Sequence, residues 1–173
     1  ATGGAISLYN SKWIHTFTNS GTFATGPTWT SATVEYVVVA GGGGGGASDP
    51  NCWGSGGGGA GQMISATTTI AHPSPVSITI AAGGSGNVAA LRRIASNGSN
   101  TTVAFPAGTV TGYGGGYGGS NAPSTTQTSG NPGTNHPNVP VGSGSGGGAN
   151  KAPASTAGGG GPSALGAYPG GSM

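Results

Sequence analysis

The clearest strand pattern in the chain lies at residues 33–39, which read TVEYVVV and are β-branched or aromatic at almost every position. Side chains of an extended segment alternate between two faces, and both faces of this segment are largely apolar. The pattern therefore predicts a strand over residues 33–39, the strongest in the chain. Ala40 and then six consecutive glycines follow it.

Residues on the N-terminal side of this strand also alternate. Over residues 12–18, Trp13, His15 and Phe17 share one face of an extended segment. The turn sequence NSG follows, and Phe23 begins another extended stretch. This part of the chain is predicted to be β-structure.

Further strands are predicted after the first glycines. Residues 62–82 alternate in two stretches separated by the sequence HPSP, which predicts a hairpin or a sheet corner. Residues 101–105 and 109–113 form two short strand patterns joined by a Pro-Ala-Gly sequence. Between these regions, residues 88–95 fit a short helical turn or another strand, and residues 97–100 predict a turn.

Glycine supplies 41 of the 173 residues and occurs in blocks. Such blocks have no side chains to bury, so they are either flexible linkers or places where backbone packs on backbone. Three features favour packing: the blocks follow strands directly, they recur, and apolar or aromatic residues separate them. The blocks occupy residues 41–46, 56–61, 112–119, 142–148 and 158–161.

Packed glycine blocks are expected to form polyglycine II helices, with three residues per turn and no internal hydrogen bonds. Their N–H and C=O groups point outward and pair with neighbouring helices, which only glycine lets approach closely. Ordering glycine costs much entropy, so only a cooperative bundle offsets it. The glycines assigned to this role are Gly41, Gly46, Gly56, Gly59, Gly114, Gly116, Gly146, Gly148, Gly158 and Gly161.

These patterns together predict an all-β fold for a single glycine-rich domain over residues 1–173. A small N-terminal β-sandwich is expected to merge into a packed bundle of polyglycine II helices with long irregular loops. Residues 1–113 are expected to be mainly β-structure with glycine blocks inserted. Residues 114–173 are expected to consist of glycine blocks and loops.

Charge is almost absent from the chain, which excludes several classes of partner. The net charge of +2 is too thinly spread to attract nucleic acid or an anionic membrane. No apolar run approaches the ~20 residues of a membrane span, and no signal peptide is visible. One cysteine rules out a disulfide within the chain. The charged residues are Lys12, Glu35, Asp49, Arg92, Arg93 and Lys151.

The chain resembles a known family in a series of motifs: the opening IHTFTNSGTFA, the strand TVEYVVVAGGGGGG, the strand VSITIAAGGSG and the stretch NTTVAFPAGTVTGYGGGYGG. This order is similar to the glycine-rich domain of bacteriophage tail-fibre and other virion proteins. The likeness to the tip adhesins of T-even-type phages, which contain a polyglycine II sandwich, is looser. Those adhesins also carry an N-terminal attachment domain that this sequence does not clearly match.

The resemblance implies a protein of the virion surface, a tail-fibre or tip component that binds a bacterial surface protein or glycan. It also implies contacts with other virion proteins and a homo-oligomer or attachment to one. In the family, loops between glycine blocks contact the receptor; the matching segments here are residues 47–55, 120–141, 149–157 and 162–169. The receptor-contact candidates are Trp53, His136, Lys151 and Tyr168, followed by Tyr113 and Tyr117 inside a block.

Catalysis has little support, and we expect no enzyme, cofactor or metal site. Glu35 and Asp49 are the only carboxylates and are interpreted as a strand residue and a turn former. Cys52 is interpreted as a small hydrophobe and not as a nucleophile served by a histidine. The glycines after residue 39 lack the helix that a dinucleotide-binding turn requires.

Two other functional classes remain open at this point. The first is a non-adhesive capsid or tail decoration protein. The second is a glycine-rich extracellular structural or ice-binding protein, although irregular loops argue against the flat, repeated Thr-bearing face that ice binding favours.

Overall fold

The computed structural model describes residues 1–46, 57–86, 95–118, 143–144 and 162–163. These residues are all-β, as predicted, and within them no helix could span a membrane. The strands are β1 (Ala5–Tyr9), β2 (Lys12–Thr16), β3 (Gly21–Phe23), β4 (Ser31–Val39), β5 (Met63–Ala71), β6 (Val76–Thr79), β7 (Thr101–Phe105), β8 (Gly108–Gly112), β9 (Ser143–Gly144) and β10 (Pro162–Ser163).

The first element, β1, is a strand that the alternation pattern did not predict. It pairs antiparallel with β2, and the two-residue turn between them places Asn10 and Ser11 at φ values of 46° and 60°. Positive φ at both central residues is the geometry that suits the twist of a hairpin. Both strands are largely exposed, so β1 carries no contrast between a buried and a solvated face.

Two antiparallel sheets form the sandwich. The larger sheet has the order β3-β6-β7-β8, and the smaller one pairs β4 with β5 over nine residues each. Since β5 and β6 lie in different sheets, the break between them is a sheet corner and not a hairpin. The short strands β9 and β10 pair with each other.

The core lies between the two sheets. Val38 and Ile70 of the smaller sheet pack with Val76, Ile78 and Val103 of the larger one. The rings of Tyr36 and Phe105 meet across the sandwich, with centroids 4.7 Å apart. Trp29, which is partly buried, packs against the core and donates its indole N–H to the Ile70 carbonyl, N···O 2.8 Å.

Five strand ends on one side of the sandwich continue into an extended segment that contains glycine. Residues 40–46 (segment I) follow β4, residues 57–62 (II) precede β5, residues 80–86 (III) follow β6, residues 95–100 (IV) precede β7, and residues 113–118 (V) follow β8. The expectation of a turn at residues 97–100 was wrong, because these residues are extended and bond to three other segments. The stretch predicted at 88–95 lies outside the described residues except for Ala95.

Candidate functional site: the bundle of glycine segments

The hydrogen bonds of segment I repeat every third residue. The N–H groups of Gly41 and Gly44 donate to Ser99 O (3.2 Å) and Ser96 O (2.9 Å) of segment IV. A repeat of three along the chain is that of a polyproline II or polyglycine II helix, in which each backbone group returns to the same face after one turn. Segment I therefore bonds its neighbours as a polyglycine II helix does.

Segment V lies on another side of segment I and shows the same repeat. The N–H groups of Gly115 and Gly118 donate to Gly41 O and Gly44 O, each at 2.9 Å. Residue numbers rise together in this pair, so segments I and V are parallel. In the pair of segments I and IV the numbers run in opposite senses, so those two segments are antiparallel.

Segments II and III complete the contacts of segment I. The N–H groups of Ala40 and Gly43 donate to Gln62 O (2.9 Å) and Gly59 O (2.8 Å) of segment II. Gly84 N–H of segment III donates to Gly42 O at 2.8 Å. Segment I is thus the centre of the bundle, in contact with the other four segments.

The outer segments also bond to one another. Segment II meets V through Gly59 N–H and Gly116 O, N···O 2.8 Å. Segment V meets IV through Gly98 N–H and Gly115 O, 2.9 Å, and IV meets III through Ser99 N–H and Ala82 O, 3.0 Å. Main-chain groups therefore satisfy one another where an ordinary domain packs side chains.

Glycine is needed in the bundle because a Cβ atom has no room, and not because of unusual backbone angles. Positive φ occurs among the described glycines at Gly3, Gly4 and Gly108, which lie outside the segments. An added Cβ would come closer than 3.0 Å to backbone of a neighbouring segment at Gly41, Gly43, Gly44, Gly58, Gly61, Gly84, Gly98, Gly114 and Gly115. Real Cβ atoms essentially never come that close.

Three polar side chains also accept hydrogen bonds from backbone N–H groups of segment V. Asn97 and Asn100, three residues apart, accept hydrogen bonds from the N–H groups of Tyr117 (3.0 Å) and Gly114 (2.9 Å), also three apart. The Gln62 side chain, 2% exposed as a residue, accepts one from Tyr113 N–H at 3.1 Å. Sequence reasoning missed all three residues, although an Asn-x-x-Asn spacing beside a glycine block matches the threefold repeat.

The predicted site residues fall into two groups. Tyr113 and Tyr117 are half-buried in segment V, while Trp53, His136, Lys151 and Tyr168 lie outside the described residues. Of the assigned glycines, Gly41 and Gly46 lie in segment I, Gly59 lies in segment II, and Gly114 and Gly116 lie in segment V. The glycines outside the described residues are Gly56, Gly146, Gly148, Gly158 and Gly161.

The described parts of the five segments reach the same end of the bundle. Segments I, III and V run away from the sandwich and are described as far as Gly46, Gly86 and Gly118. Segments II and IV are described from Gly57 and Ala95 and run back towards the sandwich. These five points lie at the end of the bundle opposite the sandwich, which we call the distal end.

The described polar groups show no arrangement typical of chemistry. His15 Nδ1 lies 2.7 Å from Gly3 O, and His72 Nδ1 lies 3.0 Å from Thr25 Oγ1. Glu35 forms an exposed ion pair with Lys12 at 2.8 Å. Within the described ranges, no group of three or more potential metal ligands occurs.

Comparison with known proteins gives one match. The model of the glycine-rich domain family matches residues 18–173, so that only the N-terminal residues, including β1 and β2, lie outside it. No curated protein and no solved structure matches the chain. Because the matched range covers nearly all of the sequence and includes all five segments of the bundle, the chain belongs to the glycine-rich domain family.

Proposed function

We propose that this protein is a structural component of a bacteriophage virion surface, in a tail fibre or at its tip, and that it presents loops to a bacterial receptor. The observation that carries the proposal is the distal end of the bundle, which the described parts of the five segments reach together. The connections 47–56 and 87–94 therefore each begin and finish within three residues of backbone that is hydrogen bonded in the bundle, at Gly44, Gly59, Ser85 and Ser96.

Such anchoring suits a recognition surface. Fixing both ends of a loop removes part of the conformational entropy that binding otherwise costs. The packing of the bundle uses main chain and a few side chains of the segments themselves, so changes of sequence in a connection should leave it intact. A receptor-binding protein that must vary its contacts gains from a scaffold of this kind.

The opposite end of the sandwich holds the N-terminal residues. Thr2 and Ala24 exchange two backbone hydrogen bonds, 2.8 and 3.0 Å long, and Ala24 follows β3 at the end away from the bundle. This polarity fits a protein that is attached near one end and contacts its receptor at the other.

The low charge of the chain favours a receptor contact through hydrogen bonds and aromatic stacking over one through electrostatic steering. Trp53, in the connection 47–56, is the first candidate, because tryptophan offers a large rigid surface at low entropy cost. The receptor class that fits is a surface glycan or an exposed loop of an outer-membrane protein.

The test is binding of the fluorescently labelled full chain to a panel of bacterial strains, with Trp53→Ala compared with Trp13→Ala. Trp13 is the matched control because it is an exposed tryptophan, 69% exposed, in the hairpin outside the bundle. We expect binding to at least one strain, reduced at least about tenfold by Trp53→Ala alone. No binding to any strain, or an equal loss with Trp13→Ala, would overturn the proposal.

A non-adhesive decoration protein is the second candidate, favoured by the β1–β2 hairpin. Leu8, Tyr9 and Trp13 are 57%, 69% and 69% exposed there, and exposed apolar groups of this kind often mark protein contacts. This role predicts that Leu8→Ser lowers incorporation into virus particles in a complementation assay, while the isolated chain binds no host cell.

A further inference from the structure

The central segment I has room for two more helices of its own kind. Its known neighbours follow one another around it in the order II, V, IV and III, because each consecutive pair is hydrogen bonded. A helix with three residues per turn sends N–H groups in three directions and C=O groups in three others, about 60° apart in alternation. Six neighbours therefore fit around it, of which four are described.

The hydrogen bonds of segment I show which directions around it have no described neighbour. N–H groups at positions 41 and 44 point to segment IV, and those at positions 40 and 43 point to segment II. The N–H groups of Gly42 and Gly45 point in the third direction, where the described residues provide no acceptor.

The carbonyl groups of segment I likewise leave one of their three directions open. Those of Gly41 and Gly44 accept from segment V, and that of Gly42 accepts from segment III. The carbonyls of Ala40 and Gly43 point in the remaining direction and receive no N–H from the described residues. The two open directions are adjacent and lie between segments III and II, so they form one continuous groove.

The surface of this groove is bare backbone. Gly42 and Gly45 are the exposed residues of segment I beyond β4. Among the described residues, an added Cβ at Gly45 meets nothing within 4 Å, and one at Gly42 comes no closer than 3.6 Å, to Gly59 O. At positions 41, 43 and 44, by contrast, the added Cβ would collide with segment III or V.

The sequence contains two glycine blocks besides those in the five segments, at residues 142–148 and 158–161. Gly144, inside the first block, pairs antiparallel with Pro162, the residue directly after the second block. At ~3.1 Å per residue, blocks of seven and four residues span roughly 22 and 12 Å, against roughly 19 Å for the six glycines of segment I.

We propose that the blocks at residues 142–148 and 158–161 occupy this groove as two antiparallel polyglycine helices and complete a ring of six around segment I. One block accepts the N–H groups of Gly42 and Gly45, and the other donates to the carbonyls of Ala40 and Gly43. The occupant is assigned to this chain because two directions are open and the chain holds two further glycine blocks, brought near each other by the pairing of Gly144 with Pro162. The proposal is independent of the receptor-binding role.

Amide hydrogen exchange of the full chain, followed by NMR, tests this arrangement. We expect the Gly42 and Gly45 amides to exchange at least about tenfold more slowly than unstructured glycine. A variant with Gly146→Ser, Gly147→Ser and Gly148→Ser should lose that protection, while the Gly44 amide, bonded to Ser96, stays protected. Fast exchange of both amides in the parent chain, or protection that survives the serine variant, overturns the proposal.

A methyl probe gives a second, independent measurement. The Cβ direction at Gly45 points into the groove, so Gly45→Ala should lower the melting temperature about as much as Gly44→Ala. Gly57→Ala is the control: an added Cβ there also meets no described atom within 4 Å, and Ala60, one turn later, already carries a methyl group. A melting temperature unchanged by Gly45→Ala refutes a packed groove, and a loss of stability that depends on protein concentration assigns the groove to a second copy instead.

Discussion

Replacing Gly43 by alanine tests whether backbone packs on backbone in this protein. Gly43 lies in the middle of segment I, and its N–H donates to Gly59 O at 2.8 Å. An added Cβ would lie closer than 3.0 Å to both the carbonyl carbon and the oxygen of Gly116, and backbone cannot rotate away as a long side chain can. Segments I and V must therefore separate.

The size of the effect follows from three terms. Overpacking a close contact costs about 1–3 kcal/mol of unfolding free energy. Weakening a hydrogen bond between the displaced segments costs about 1 kcal/mol more. The substitution also restricts the unfolded chain, which stabilises the fold by about 0.4–1 kcal/mol. We expect Gly43→Ala to destabilise the protein by about 2–3 kcal/mol in total.

The assay is urea unfolding of the full chain, monitored by tryptophan fluorescence, with Gly57→Ala as the matched control. No described atom lies within 4 Å of the methyl group added in the control, so only the unfolded-state term acts and the stability of Gly57→Ala should rise slightly. The two variants thus differ in sign. If Gly43→Ala is as stable as the parent chain or more so, segment I is a solvated linker and the packed-backbone interpretation fails.

Two further substitutions test the polar and the apolar support of the bundle. Asn97→Ala removes the side-chain acceptor of the Tyr117 N–H and should lower the free energy of unfolding in urea by about 1 kcal/mol. Ser99→Ala, at an exposed position of the same segment, should lower it by almost nothing. Equal effects of the two substitutions would contradict a stabilising role for the hydrogen bond of Asn97. Ile70→Ala leaves a cavity at a core position that is 2% exposed and should lower the free energy of thermal unfolding by about 2–5 kcal/mol. Val37→Ala, at a position 63% exposed, should change it by less than about 0.5 kcal/mol. A larger effect of Val37→Ala would place the core on the other face of the β4–β5 sheet.

The strands with one buried face were predictable from local pattern. Residues 33–39 became the end of β4, and the stretches at 101–105 and 109–113 became β7 and β8 within one residue. β1 escaped prediction because a hairpin that is exposed on both sides shows no contrast between its faces. Asn97 and Asn100 were assigned to a turn because their short polar side chains bond local backbone as readily as distant backbone.

The sequence by itself determined the all-β character, the positions of the strands that have one buried face and the places where side chains are absent, because alternation and glycine content are local properties. Only the tertiary structure decided which strands share a sheet, which segment lies at the centre and which glycines tolerate a methyl group. A glycine block is uniform along its length, so nothing in it distinguishes Gly43 from Gly57. That difference arises when the sandwich fixes the spacing of five strand ends and thereby sets which backbone atoms meet.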